Sequence, residues 1–191
     1  MSIPLFIFIV ATLVWLLPPF KQYKTKYFLF FLLLALNDPI FLLFFKLFHW
    51  SPQSMYPVFT LLFLYSLLAM KNKMLLIVVL VVLISLIILL PLNRDQLLVL
   101  NSLLHFLITI IIINEFVNYI SQNIAINLFL VMLIIYEIMA VLKNIAVVTN
   151  FKQGPVLFYL STFFQIIFGI IFAFMNINSK SIRLKVEEIP E

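Results

Sequence analysis

From Phe28 to Leu47 the chain is apolar except for Asn37-Asp38-Pro39 at the middle and Lys46 near the end. The run has about the length a helix needs to cross a bilayer, roughly 20 residues. An amide, a carboxyl group and a helix-breaking proline therefore fall together near a membrane midplane. An ionisable side chain at that depth costs several kcal/mol by most scales, so it faces a protein interior or a watered cavity rather than lipid. Pro39 removes one backbone donor and crowds the preceding turn, which predicts a kink that exposes carbonyls beside Asp38. The expected arrangement is a polar centre inside a bundle of helices. A buried Asp38 that merely ties helices together is the plainer alternative.

Composition extends this to the whole chain. Hydrophobic residues are 65% of the 191 and charged residues 10%, and mean hydropathy is +1.24. Soluble domains carry about 25% charged residues and cannot cover so much apolar surface. The net charge of +5 is spread over short loops, not gathered in one patch, so no nucleic-acid partner is expected. The absence of cysteine excludes thiol catalysis, disulfides and thiolate metal sites. The first stretch, Met1 to Phe20, lacks the basic start and small-residue cleavage site of a signal peptide, and is expected to remain as a span.

Length and flanks mark seven apolar segments: Pro4–Phe20, Tyr27–Phe48, Met55–Met70, Met74–Leu92, Leu97–Ile120, Ile124–Leu142 and Pro155–Met175. The expected fold is an all-α membrane protein, a seven-transmembrane-helix bundle over residues 1–176 with a kinked second helix. A short cytoplasmic tail, residues 177–191, would follow it. Basic residues set the orientation. With the N-terminus outside, the inner segments hold Lys21, Lys24, Lys26, Lys71, Lys73, Lys180, Arg183 and Lys185, against Lys46, Arg94, Lys143 and Lys152 outside. That asymmetry predicts N-out and C-in, with Trp15 and Trp50 near opposite interfaces. The expected location is a bacterial inner (cytoplasmic) membrane.

The polar residues inside the spans form a pattern. At 100° per residue, Asn101, His105, Thr109, Glu115 and Tyr119 fall within about 120° of one face of the fifth span. The sixth carries Tyr136-Glu137, with Asn144 one heptad on. The seventh carries Ser161, Thr162, Gln165, Gly169 and Ala173 on one stripe, first of all a close-packing surface. At about 1.5 Å per residue, His105 and Glu137 come to matched depth, with Asp38 slightly deeper and Gln165 near the middle. A histidine and a carboxylate in low dielectric share a proton and titrate together, which serves a proton relay, ligand capture or a structural tie. The candidate ligand or proton site is therefore Asp38, His105, Glu137, Asn37, Gln165 and Tyr136, with Pro39 as a structural kink. Glu115, close to an interface, can simply reach water.

Enzyme motifs are missing. No His-Glu-x-x-His, Gly-x-Ser-x-Gly or Asp-rich prenyl-diphosphate motif occurs. Only His49 and His105 are available, so no three-histidine metal site can form. No catalytic residue, metal or cofactor is expected. The sequence points to a receptor or sensor bundle that binds a small or lipidic ligand. It would signal to a partner in the lipid bilayer, either another membrane protein or a second copy of the chain. The alternative is a small-solute, proton-coupled transporter. Pro57-Val58 follows Asp38, and Pro155-Val156 follows Glu137, at similar distances. Spans two–three and six–seven would then be parallel copies, and parallel repeats place their shared site at the midplane.

Overall fold

The computed structural model describes residues 3–49, 52–68, 73–90, 92–149, 154–179 and 183–185. Among these, eight helices occur: α1 (Ile3–Trp15), α2 (Leu17–Lys21), α3 (Phe28–Phe48), α4 (Pro52–Leu67), α5 (Lys73–Leu89), α6 (Arg94–Asn123), α7 (Leu128–Val148) and α8 (Gly154–Phe174). Two three-residue strands, β1 (Ala125–Asn127) and β2 (Arg183–Lys185), pair antiparallel. The all-helical character follows from long apolar stretches, which satisfy every backbone group within the segment.

Three helical stretches are long and apolar enough to cross a membrane: Phe28–Leu47, Arg94–Asn123 and Leu128–Val148. The apolar parts of α1–α2, α4 and α8 are shorter. Helices α4 and α5, with 16 and 17 residues, rise only about 25 Å against a hydrocarbon core of about 30 Å.

Several segment boundaries differ from those read off the apolar runs, and the first and sixth runs differ in structure as well as length. The first run breaks at Leu16, where Pro18 and Pro19 supply no backbone donors and a separate five-residue helix begins. The sixth helix does not start at Ile124. That residue takes left-handed backbone angles (φ 48°, ψ 42°) and closes α6. β1 follows, and the Asn127 side chain then accepts the Phe129 N–H, 3.0 Å, to open α7. The helix therefore runs on to Val148, and Lys143 and Asn144 belong to it rather than to a loop. Pro39 lies within α3, whose helical run continues from Phe28 to Phe48. Lacking an N–H, Pro39 leaves the Ala35 carbonyl without its i+4 donor.

The bundle buries polar side chains beside its apolar core and turns many apolar side chains outward. On α6 the buried face includes Asn101, Ser102, His105 and Thr109, whereas Leu103, Phe106, Leu107, Ile110, Ile113 and Val117 point outward. Such an outward apolar stripe is the kind of surface that faces a membrane or another protein. α5 packs on α4 and exposes Val78, Val81, Val82 and Leu83.

Helix α6 packs on α7 and on α4, α3 on α4, and α8 on α7, α1 and α2. An ideal Cβ on Gly169 of α8 would lie 2.7 Å from Val14 Cγ1, with the Trp15 ring 3.5 Å away, so the glycine sets how closely α1 and α8 approach. Trp15 does not sit at an interface. It is buried, its ring centroid 5.2 Å from Tyr136, 6.3 Å from Phe172 and 6.5 Å from Phe31. Its indole is worth more in this aromatic layer, where it removes a large apolar area from any solvent, than at a surface. Trp50 lies outside the described residues.

One end of the bundle is tied by polar contacts, and it is the end that carries Lys21, Lys24, Lys26 and Arg183. Lys26 forms an ion pair with Glu115, which answers that carboxylate with a partner rather than with water alone. Gln22 donates to the Met175 carbonyl, Asn176 to the Lys21 carbonyl, and Asn127 to the Ile177 carbonyl. β2 pairs with β1 here, Ile126 opposite Leu184, so part of the tail is docked on the α6–α7 turn.

Candidate functional site

Helices α1, α3, α4, α6, α7 and α8 surround a cavity of about 400 Å³ in the half of the bundle away from this tied end. Its volume lies within the usual range of small-molecule sites. Asn37 and Asp38 enter from α3, Tyr56 and Thr60 from α4, Asn101 and His105 from α6, Tyr136, Lys143 and Asn144 from α7, and Thr162 and Gln165 from α8. Arg94 stands at the first turn of α6, held in place because Asn93 and Gln96 cap the helix reciprocally at 2.9 Å each way.

The sequence candidates are distributed as follows. Asn37, Asp38, His105, Tyr136 and Gln165 all line this cavity. Glu137 does not: it is fully buried behind His105, with Oε2 2.6 Å from His105 Nδ1. Glu137 Oε1 has no hydrogen-bond partner among the described residues. Pro39 is outside the lining.

A polar chain joins three helices at this level. Thr60 Oγ1 lies 2.6 Å from Asn101 Oδ1 and 3.4 Å from His105 Nε2, and His105 reaches Glu137 on its other side. A hydroxyl has one proton. If Thr60 donates it to Asn101, the ring nitrogen facing Thr60 must be the donor of that contact. His105 then either donates at Nε2 to Thr60 and at Nδ1 to the Glu137 carboxylate, or donates at Nε2 and accepts at Nδ1 from a protonated Glu137. Both arrangements leave the His105–Glu137 pair without net charge.

Sequence reading missed Lys143. It lies beside Asp38, the two attracting one another, and its Nζ donates to Gln165 Oε1 at 3.5 Å. Asn37 Nδ2 donates to Asp38 Oδ1 at 3.2 Å. The signal was present: Tyr136, Ala140, Lys143 and Val147 recur at three- and four-residue spacing and share one face of α7. Thr60, Asn101, Asn144 and Arg94 were likewise not among the candidates.

Towards the tied end the cavity closes on aromatic rings. Phe31 sits 5.0 Å from Phe172 and 6.0 Å from Phe129, and Tyr27 5.2 Å from Phe129. With Ile108 and Ile112, these side chains are buried and form a dense layer. Among the described residues, no three His, Cys, Asp or Glu side chains gather as a metal site. Comparisons with family models, with curated proteins and with solved structures find no match for this chain.

Proposed function

We propose that this chain is a receptor or sensor of the membrane, a seven-span bundle that takes a small ligand into a one-sided cavity and signals to a membrane partner. Here α1 and α2 together make one interrupted crossing, and α4, α5 and α8 cross as well. The N-terminus lies outside and the tail in the cytoplasm, because the basic residues concentrate at the tied end. The cavity then opens in the outer half. A bacterial inner membrane fits this orientation.

The observation that carries the reading is the contrast within the bundle core. A polar, charged cavity ends on a buried aromatic layer that, among the described residues, stands between it and the tied end. A transporter needs access from both sides of its site in turn. The transporter reading rests on the titratable groups in the cavity, Asp38, Lys143 and His105, which suit proton coupling.

Cysteine accessibility separates the two, and the cysteine-free chain is ready for it. Asn144→Cys and Thr162→Cys should react with a membrane-impermeant maleimide applied outside, and with none applied inside. Phe172→Cys, in the aromatic layer, should react from neither side. Labelling of Asn144→Cys from both sides would replace the receptor with a transporter; labelling from neither would end both.

A further inference from the structure

We infer, building on the reading of this cavity as a ligand site, that the ligand is an organic monoanion with an apolar or aromatic body, its charged head held by Lys143 and Arg94. Among the described residues, the lining presents one carboxylate, Asp38, against three bases, Arg94, His105 and Lys143. His105 is answered by Glu137 behind it, at 2.6 Å. Lys143 and Asp38 attract each other. No acid among the described lining residues remains for Arg94, so the cavity wall carries one positive charge in excess.

The register of the two helices puts the cations within reach of one oxyanion. α6 and α7 run antiparallel with His105 opposite Glu137, which sets Arg94 level with Val148 and Lys143 level with Val99. The two bases are thus separated by five residues of helix, about 7 Å along the axis. Both have long side chains, and a carboxylate or phosphate between them can contact both. Asn144 and Gln165 add carboxamide donors beside Lys143. The opposite end of the cavity is Trp15, Phe63 and Tyr136. The wall therefore runs from a mouth with Arg94 and Lys143 to a floor of three aromatic rings beside the neutral His105–Glu137 pair, the complement of an amphiphile standing head outward. A cation would add to that excess positive charge, whereas an anion offsets it. The same oxyanion chemistry comes from a soluble carboxylate or from the head of an anionic lipid.

The test uses the full chain in nanodiscs and three probes with one body: phenylacetate, 2-phenylethanol and phenethylamine. Protection of Asn144→Cys from maleimide and the melting temperature are read together. Phenylacetate should protect and stabilise, and its apparent affinity should fall by about tenfold or more in Arg94→Gln and in Lys143→Gln, the loss of one charge-assisted contact. Arg94→Gln, at the exposed mouth, keeps the test informative where Lys143→Gln fails to fold. In phosphatidylcholine discs doped with phosphatidylglycerol, loss of the phenylacetate effect with Asn144→Cys already protected identifies a lipid head as the natural source. An unchanged phenylacetate effect identifies a soluble anion. Equal protection by phenethylamine or 2-phenylethanol overturns the anion assignment and leaves the ligand cavity standing, as does protection by neither phenylacetate nor phosphatidylglycerol. Failure of maleimide to reach Asn144→Cys in the ligand-free protein overturns the cavity reading itself.

Discussion

His105 Nδ1 and Glu137 Oε2 stand 2.6 Å apart on neighbouring helices, and neither side chain is open to bulk solvent. Each is the other's answer to burial, so removing either leaves a polar group stranded. The costs of His105→Gln and Glu137→Gln should therefore not add. A double-mutant cycle on detergent unfolding free energies should give a coupling of about 1–3 kcal/mol. Additive losses would mean the two are merely adjacent.

Gly169 governs the approach of α8 to α1. A methyl group there would press on Val14 Cγ1 at 2.7 Å, and valine has little rotamer freedom in a helix with which to yield. Gly169→Ala should cost about 1–3 kcal/mol by overpacking. Val14→Ala in the same chain should recover most of that loss, as judged by melting temperature in detergent. No recovery would place the strain elsewhere.

Asn127 has two separate duties. Its Oδ1 accepts the Phe129 N–H at the start of α7, and its Nδ2 donates to the Ile177 carbonyl in the tail. Asn127→Ala, losing both, should destabilise by about 1–2 kcal/mol. Asn127→Asp keeps the acceptor and loses the donor, so it should cost less while making the segment after Ile177 more sensitive to protease. Equal costs for the two substitutions would show that the tail contact, not the cap, dominates.

Topology is open to direct measurement. Reporter fusions after Lys26, Lys73 and Glu191 should read cytoplasmic, and one after Gln153 should read external. An external signal at Glu191 would overturn the seven-span count or the orientation.

Much of the helical layout was legible because apolar length alone predicts a helix in a membrane. Depth counting was enough to bring His105 level with Glu137, since both lie on regular helices and the rise per residue is constant. What hydropathy does not carry is backbone direction. Ile124, Ala125 and Ile126 are as apolar as their neighbours, yet they form the turn and the strand; Asn123 and Asn127 on either side were the usable signal, asparagine being common at helix caps. Lys143 was hidden by its charge. A lysine at the end of an apolar run reads as a loop residue and as a vote in the orientation count, whereas in the folded chain it borders the cavity beside Asp38. Trp15 misled for a related reason: the interfacial preference of tryptophan is an average, and here three rings and a glycine opposite it make a better site.

The packing of α1 and α2 against α8 bears on how the molecule is made. Helices α1 and α2 find their main neighbour in α8, some 140 residues later in the chain. At about 5–20 residues per second, they wait roughly seven to thirty seconds before α8 can reach them. During that interval Trp15 has lost both Phe172 and the backbone that Gly169 brings near, and the wall of the cavity that carries Thr162 and Gln165 does not exist. A chain stopped before Gly154 would expose Asp38 and Lys143 along an open seam, a polar flank that membrane proteases and insertion chaperones can read as unfinished.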